Sequence, residues 1–486
     1  MSNPLILGTN SIKDTGYEVA NSLRLDEPSN QGFTKTPGSA GNRKTFTLSA
    51  WVKRSKITNQ TGDVQTIFES REGNNDNCAL TFQTNDTLSI KLKVGGTNKS
   101  LITNRVFRDV SAWYHLVCAV DTTQSTDSNR VKIYVNGVQE TSFGTEDYVS
   151  QDAQTSFNNS VGHGIGKRSD TTSQNFDGYL AEVIMIDGSA LDPTSFGEFD
   201  SDTNIWKPKD VSGLTFGTNG FYLDFENSSS LGADVSGNGN NFTVNNLTSI
   251  DQSTDTCTNN AVTFTATDPS ASNFTISQGG LKIDKSGAGT FGLYGSSIML
   301  SSGKWYWEAK MTGDAGSDRT RVGLAAYESV TGTSSIQGSY SGFEFTSVTS
   351  GRFSVTVDGT TTEIDGFNSY STGDIIMFAL DMDNTKLYVG INGDWFNYSS
   401  SATGGDPTSG SGWVTNNATA LAEPVTIYGG HAVGVSGSSE LEFNFGATNT
   451  FTVSSGNSDA NGYGNFEFAV PSGYYAINTK NLAEYG

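Results

Sequence analysis

The stretch Gly373-Asp-Ile-Ile-Met-Phe-Ala-Leu-Asp-Met-Asp-Asn-Thr-Lys-Leu-Tyr-Val-Gly-Ile-Asn-Gly-Asp-Trp395 predicts a β-hairpin. Its residues 375–380 form an uninterrupted apolar run, which suits a strand buried on both faces. Asp383-Asn384 are turn-forming residues, and the apolar residues 387–389 begin the return strand. Asn392-Gly393 then favours a second tight turn.

The same unit occurs earlier in the chain. Residues 113–121 (Trp-Tyr-His-Leu-Val-Cys-Ala-Val-Asp) predict a buried strand, and residues 131–137 (Val-Lys-Ile-Tyr-Val-Asn-Gly) predict its partner. A chain of 486 residues is too long for one core and suits two domains. Because 56 Gly stand against 9 Pro and no long apolar stretch has helical spacing, we expect many short strands and an almost all-β protein.

The two copies resemble two families. The later copy, with Gly303-Lys-Trp-Tyr-Trp-Glu308 and Arg321-Val-Gly-Leu-Ala-Ala326 upstream, resembles a SPRY domain. The earlier copy resembles a laminin-G-like domain of the concanavalin A-like lectin/glucanase superfamily. The resemblance implies two tandem jelly-roll β-sandwiches.

The laminin-G-like resemblance covers most of residues 20–200. It rests on Asn42-Arg-Lys-Thr-Phe-Thr-Leu-Ser-Ala-Trp-Val-Lys-Arg54, Phe107-Arg-Asp-Val-Ser-Ala-Trp-Tyr-His115 and Phe176-Asp-Gly-Tyr-Leu-Ala-Glu-Val183. These runs are similar to modules of tail-fibre and virion proteins of marine bacteriophages. The tail Phe466-Glu-Phe-Ala-Val-Pro-Ser-Gly-Tyr-Tyr-Ala-Ile-Asn-Thr-Lys480 is similar to the ends of such proteins.

The patterns predict four segments. We expect an N-terminal arm over residues 1–20, a laminin-G-like sandwich over 21–190, a linker over 191–220, and a SPRY-like sandwich with a C-terminal tail over 221–486. In the first sandwich, Phe46, Leu48, Ala50 and Val52 alternate onto one face of a strand, and Trp51 lies on the other.

The charge distribution and the cysteines argue against several kinds of partner and structural site. The net charge of −22 is concentrated in residues 191–486, which hold 11 Lys+Arg and 31 Asp+Glu. Such a surface repels nucleic acid and anionic membranes, although it also simply keeps a protein soluble. Three cysteines without a Cys-x-x-Cys spacing indicate neither a disulfide framework nor a zinc site. Residues 1–8 lack the basic region and long apolar core typical of a secretory signal, and no stretch of the given sequence approaches membrane-spanning length. We therefore expect synthesis in a host cytoplasm and no membrane insertion.

Catalytic signals are weak. Glucanases of the superfamily place Glu-x-Asp-x-Glu on one strand. Glu198-Phe-Asp200-Ser-Asp202 is similar, but it ends in Asp and lies in the predicted linker, where solvated loop carboxylates explain it better. His115 alternates with apolar residues, which favours a core histidine over a catalytic base. We expect no enzyme.

A calcium loop is weighed at Asp234, Ser236 and Asn238, which occupy the first oxygen-donor positions of such a loop, with Gly239 at the bend. The match fails at its end, where Asn245 stands in place of a bidentate Glu. We therefore expect no cofactor and keep calcium at this loop as an alternative.

Sugar binding is weighed at Trp395, Tyr398 and Trp413, which flank a loop rich in Ser, Gly and Thr. A pyranose stacks on exposed aromatic rings beside polar groups. The alternative, which the sequence favours, is that these rings cap the edge of the sandwich.

The resulting hypothesis is a non-enzymatic bacteriophage virion protein, a tail fibre or surface appendage. Its expected partners are other virion proteins, host-surface glycans and further copies of itself. The alternatives are a glycan depolymerase and a capsid-decorating protein without a glycan ligand.

Overall fold

The computed structural model describes residues 16–57, 63–265, 274–285, 292–313, 320–326, 342–347, 352–357, 360–364, 372–397, 402–414, 421, 424–431 and 439–486. The chain divides into two compact units, which are described separately: the first covers residues 15–259 and the second residues 260–486.

The first unit is built from strands and short 3-10 turns. Its strands are β1 (Ser22–Leu25), β2 (Gly32–Lys35), β3 (Thr45–Arg54), β4 (Gln65–Arg71), β5 (Asn77–Phe82), β6 (Thr87–Val94), β7 (Thr97–Val106), β8 (Trp113–Asp121), β9 (Val131–Val135), β10 (Val138–Gln139), β11 (Phe143–Glu146), β12 (Gly162–Ile165), β13 (Gly178–Asp187), β14 (Gly197–Phe199), β15 (Trp206–Pro208), β16 (Phe221–Leu223), β17 (Thr243–Asn245) and β18 (Gln252–Ser253). Its 3-10 turns are Glu27–Ser29, Asp127–Asn129, Pro193–Ser195 and Ser249–Asp251.

Sixteen of these strands form two packed sheets, and β14 and β15 form a separate two-stranded sheet. Sheet 1 has the order β10-β9-β8-β3-β13-β1-β18, with β16 also paired to β13, and sheet 2 has the order β11-β7-β6-β5-β4-β12-β2-β17. Phe46, Leu48, Ala50 and Val52 lie in the core between the sheets, as the alternation predicts. Trp51 packs in a separate cluster on the opposite face of its strand.

The predicted domain boundary is corrected. Strand β16 was predicted to begin the second sandwich, but it pairs with β13 of the first. Strands β17 and β18 likewise pair with β2 and β1. The predicted linker is likewise part of the first unit, where Phe196, Trp206 and Phe216 are buried. The first sandwich therefore extends to residue 259, because its outer strands come from segments distant in sequence.

Two buried ion pairs fix the end of the first unit. Arg24 Nη2 lies 2.9 Å from Asp251 Oδ1, and Lys53 Nζ lies 2.8 Å from Asp255 Oδ2. The predicted arm is also shorter than expected, since Val19 is buried and its N–H donates to Thr258 Oγ1 at 3.1 Å. Residues 1–15 of the arm lie outside the described residues.

The second unit is a second pair of sheets. Its strands are β19 (Phe264–Thr265), β20 (Phe274–Ser277), β21 (Lys282–Lys285), β22 (Gly292–Leu300), β23 (Lys304–Gly313), β24 (Thr320–Ala326), β25 (Gly342–Ser347), β26 (Arg352–Val357), β27 (Thr360–Ile364), β28 (Ile375–Asp381), β29 (Lys386–Ile391), β30 (Asp394–Asn397), β31 (Ala402–Thr403), β32 (Val425–His431), β33 (Ser439–Asn444) and β34 (Tyr475–Ala476), with a 3-10 turn at Gln278–Gly280 and helix α1 at Thr479–Tyr485. Sheet 3 has the order β19-β22-β32-β24-β25-β26-β27, and sheet 4 the order β20-β21-β33-β23-β28-β29-β30-β31 with β34 parallel to β23. The predicted all-β class with two sandwiches is confirmed.

The hairpin predicted from residues 373–395 lies at the centre of sheet 4. Strands β28 and β29 pair antiparallel from Ile376–Ile391 to Asp381–Lys386, and every residue of β28 is buried. Asn392 and Gly393 both have positive φ, 53° and 96°, as a two-residue type I′ turn requires. Asn136 and Gly137 repeat this turn in the first unit with φ of 48° and 78°. Across the part of the chain that the structure describes, no helix has the length and hydropathy needed to cross a membrane.

Candidate functional site

The aromatic residues weighed for sugar binding are not free rings. Trp395 and Trp413 are partly buried against a cluster that contains Tyr306, Phe466 and Tyr474, and Trp395 lies edge-on to Tyr306 with ring centroids 6.3 Å apart. Tyr398 lies outside the described residues. This packing is what a ring cap on sheet 4 would show, and sugar binding at these residues stays an untested prediction.

Hydrogen bonds between side chains and backbone groups fix the conformation of the loop considered for calcium binding. Asp234 Oδ1 accepts N–H bonds from Tyr222 and Ser236, and Oδ2 accepts one from Asn240. Asn238 Nδ2 donates to the carbonyls of two glycines at 2.6 and 2.9 Å. Within the described residues, no three Asp, Glu, His or Cys side chains are grouped as a metal site would need. The loop is thus explained by turn formation, and calcium stays an untested prediction.

The acidic run in the former linker lies on the β14–β15 hairpin. Glu198 is exposed and lies 3.7 Å from Lys207 Nζ. Asp200 accepts hydrogen bonds from the backbone and hydroxyl of Thr203 and from Lys207, and these lower its pKa to about 2. A carboxyl that stays ionised in this way is a poor general acid.

A groove of about 200 Å³ lies on the outer face of sheet 2. It is lined by side chains from β4 to β7 and from the loop that follows β12: Val64, Thr66, Glu69, Arg71, Asn77, Ala79, Thr81, Gln83, Ser89, Lys91, Asn98, Ser100, Ile102, Arg168 and Gln174. Strand pairing arranges most of them in rows across the sheet. One row is Thr66, Thr81, Ser89 and Ile102, the next is Glu69, Ala79, Lys91 and Ser100, and the third contains Arg71, Asn77 and Asn98.

A β-bulge creates this arrangement. The register between β4 and β5 shifts between Thr66 and Phe68, so Ile67 and Phe68 both lie in the core. Consequently Thr66 and Glu69, three residues apart, reach the same outer face. Strict alternation would have placed them on opposite faces, which is why sequence reasoning missed the groove.

An ion-pair network forms one wall of the groove. Glu69 is buried, and its carboxylate accepts from Arg71 Nε at 3.0 Å and from the backbone and hydroxyl of Ser169 at 3.2 and 2.9 Å. Arg168 binds both oxygens of Asp170 at 3.0 Å and donates to Gln174 at 3.2 Å. The network fixes both guanidinium groups beside the groove.

Lys91 lies in the middle row, one strand away from Ala79. Burial lowers the pKa of its ammonium, and the positive charge of Arg71 lowers it further. Ala79 lies between Glu69 and Lys91 and has only a methyl side chain. The middle row therefore has a depression at Ala79.

Two polar atoms of the lining have no protein partner. Thr66 Oγ1 and Asn77 Oδ1 are buried and make no hydrogen bond to any residue of the described structure. Buried polar atoms in folded proteins nearly always have a partner. Because both atoms are nearly inaccessible from outside, they do not by themselves indicate a ligand in the groove.

Comparison with known proteins agrees with the fold of the first unit. Residues 28–194 match the family model Laminin_G_3, described as the concanavalin A-like lectin/glucanases superfamily, which is less than half of the chain. No curated protein matches the sequence.

Several solved structures are similar at low identity. Domains LG4-5 of the mouse laminin α1 chain are 10% identical with a TM-score of 0.28, covering 86% of this chain and 84% of that chain. A putative carbohydrate binding protein from Bacteroides ovatus is 18% identical with a TM-score of 0.31, covering 47% and 59%. The SPRY domain of human HERC1 is 15% identical with a TM-score of 0.28, covering 39% and 99%.

Proposed function

We propose that the first unit is a lectin-like domain that binds a carbohydrate in the groove on sheet 2. The observation that carries the proposal is the groove itself, lined by hydroxyl, amide and cationic side chains that fixed strands hold in rows. Saccharide hydroxyls need several donors and acceptors in fixed positions, and strands position such groups more precisely than loops do. The family match at residues 28–194 is consistent with this, because its description names lectins and glucanases.

Binding without hydrolysis fits the lining best. Glycoside hydrolysis uses a pair of carboxyl groups that flank the scissile bond. Among the lining residues, Glu69 is the one carboxylate, and it is engaged by Arg71 and Ser169. This supports a binding module over a depolymerase.

The biological setting that we propose is the surface of a bacteriophage virion, where the groove would contact a host-surface glycan. The support is the sequence resemblance to phage modules over residues 20–200 and at the C-terminal tail. Mass spectrometry and immunogold labelling of purified particles would test this setting. Absence of the protein from particles would contradict the virion setting and would leave the proposal of carbohydrate binding in the groove unaffected.

A glycan array tests the groove. The full-length chain should bind one or more bacterial surface polysaccharides, and Ala79→Phe should lower the binding at least tenfold by filling the floor of the middle row. Asp152→Ala, on an exposed pair with Lys44 away from sheet 2, is the control and should bind like the parent. Melting curves of all three proteins establish that they are folded. Undiminished binding by the Ala79→Phe protein would contradict the proposed site.

A further inference from the structure

The groove has the opposite charge to the chain as a whole. The chain carries a net charge of −22, whereas the groove is lined by the three cations Arg71, Lys91 and Arg168 and by the single carboxylate Glu69. Asp170 at its border adds one more negative charge. A local excess of positive charge on an acidic protein attracts an anionic ligand.

The carboxylates near the groove are already used by the two arginines. Arg71 Nε lies 3.0 Å from Glu69 and 3.2 Å from Asp170, and Arg168 pairs with Asp170 at 2.8 Å. Lys91, in contrast, has no carboxylate within ion-pair distance among the residues that the structure describes. The charge of Glu69 acts on Lys91 only from beyond ion-pair distance. A partly buried ammonium without an ion-pair partner is costly, and an anion from a ligand would offset that cost.

The position of Lys91 suits recognition of one acidic group within a longer saccharide. Two strand spacings, roughly 10 Å, separate the backbones of Glu69 and Lys91 across Ala79. A sugar ring over Ala79 would place a substituent near Lys91 and its hydroxyls near the outer rows. In addition, the described lining contains no aromatic ring, so recognition here depends on hydrogen bonds and charge instead of stacking.

We infer that the groove is selective for an acidic saccharide, with Lys91 as the residue that binds its carboxylate or sulfate group and with Arg71 and Arg168 providing the surrounding positive potential. This inference rests on the proposed function, since it names the class of carbohydrate that the groove takes. Lys91 is then the specificity-determining residue, while Glu69 and Asp170 position the two arginines.

Calorimetric titration of the full-length chain tests the inference with three probes: a mixed panel of oligouronates, the same oligouronates after carboxyl reduction, and a sulfated neutral oligosaccharide. We expect at least one acidic probe to bind tenfold or more tightly than the reduced one, since a hydrogen bond to a charged group is involved. Lys91→Gln should remove that preference, Lys91→Arg should retain most of it, and Lys44→Gln, the same charge change immediately before β3 of sheet 1, should leave it intact.

The outcomes separate the two proposals. Equal binding of acidic and reduced probes, or an unchanged preference in Lys91→Gln, overturns the acidic-ligand inference and leaves carbohydrate binding standing. Stronger binding of the sulfated probe than of the oligouronates identifies the acidic group as sulfate, and the reverse identifies it as carboxylate. A chain that binds neither these probes nor any array glycan contradicts the proposed function itself.

Discussion

The indole Nε1 of Trp206 donates a hydrogen bond of 3.0 Å to Nδ1 of His115. Because Nδ1 accepts, the ring proton lies on Nε2, which donates to Ser49 Oγ at 2.9 Å. The His115 ring also packs nearly parallel to the rings of Trp51 and Trp206, with centroids 4.8 and 5.9 Å away. The arrangement makes His115 a satisfied core residue, as predicted, and attaches the former linker to the first sandwich.

This attachment predicts where the chain can be cut. A fragment of residues 16–259 should give a cooperative melt with a β-type circular dichroism spectrum, because it keeps β16 to β18 and Trp206. A fragment of residues 21–190 should fail to do so, since it leaves sheet edges and apolar surface uncovered. A cooperative melt of the short fragment with the stability of the long one would restore the boundary predicted from the sequence.

His115 should make the first unit sensitive to acid. Burial lowers its pKa to about 3, whereas an unfolded histidine titrates near 6.5, so unfolding takes up a proton in between. The stabilisation is complete above about pH 6.5 and is lost as the pH falls toward 3, by up to about 5 kcal/mol. Urea unfolding at several pH values should therefore show a steeper loss for the parent than for His115→Gln. Parallel curves for the two proteins would mean that folding leaves the pKa of His115 unshifted, which would contradict the prediction.

The buried pair between Lys53 and Asp255 should be essential for the end of the first unit. Asp255→Ala removes the carboxylate next to a buried ammonium and should cost about 3–5 kcal/mol in free energy of unfolding. The exposed pair of Lys44 and Asp152 has a similar distance, 2.9 Å, yet Asp152→Ala should cost less than about 1 kcal/mol. Denaturant unfolding measures both, and equal losses would show that burial does not set the difference.

Phe378 tests the core of the second unit. Its side chain is fully buried and stacks on Trp307 with centroids 5.0 Å apart. Phe378→Ala should cost about 3–5 kcal/mol through lost burial and the cavity that remains. The same change at Phe199, which is 45% exposed, should cost clearly less. A loss under about 1 kcal/mol at Phe378 would contradict its place in the core.

The sequence was most informative where structure is local. The hairpin around Phe378 and the turns at Asn136-Gly137 and Asn392-Gly393 depend on neighbouring residues, and all three have the predicted form. The boundary was wrong because the apolar residues of β16 are compatible with either sandwich. Its pairing with β13 is a contact between distant segments, which a linear pattern does not encode.

The groove was missed for the same physical reason. Thr66, Lys91 and Arg168 become neighbours only through the register of strands and a bulge, and each alone resembles an ordinary surface residue. The aromatic residues Trp395 and Trp413 stood out in the sequence. Their rings instead pack against sheet 4 and segments of the C-terminal tail.

Hydrogen–deuterium exchange of the full-length chain, with and without the best glycan from the array, tests the central claim most directly. The account predicts slower exchange on ligand binding in β4 to β7 and in the loop that carries Arg168 and Gln174, with the segment around Trp395 and Trp413 unchanged. Protection confined to that aromatic segment, with no change in the strands of the groove, would contradict it.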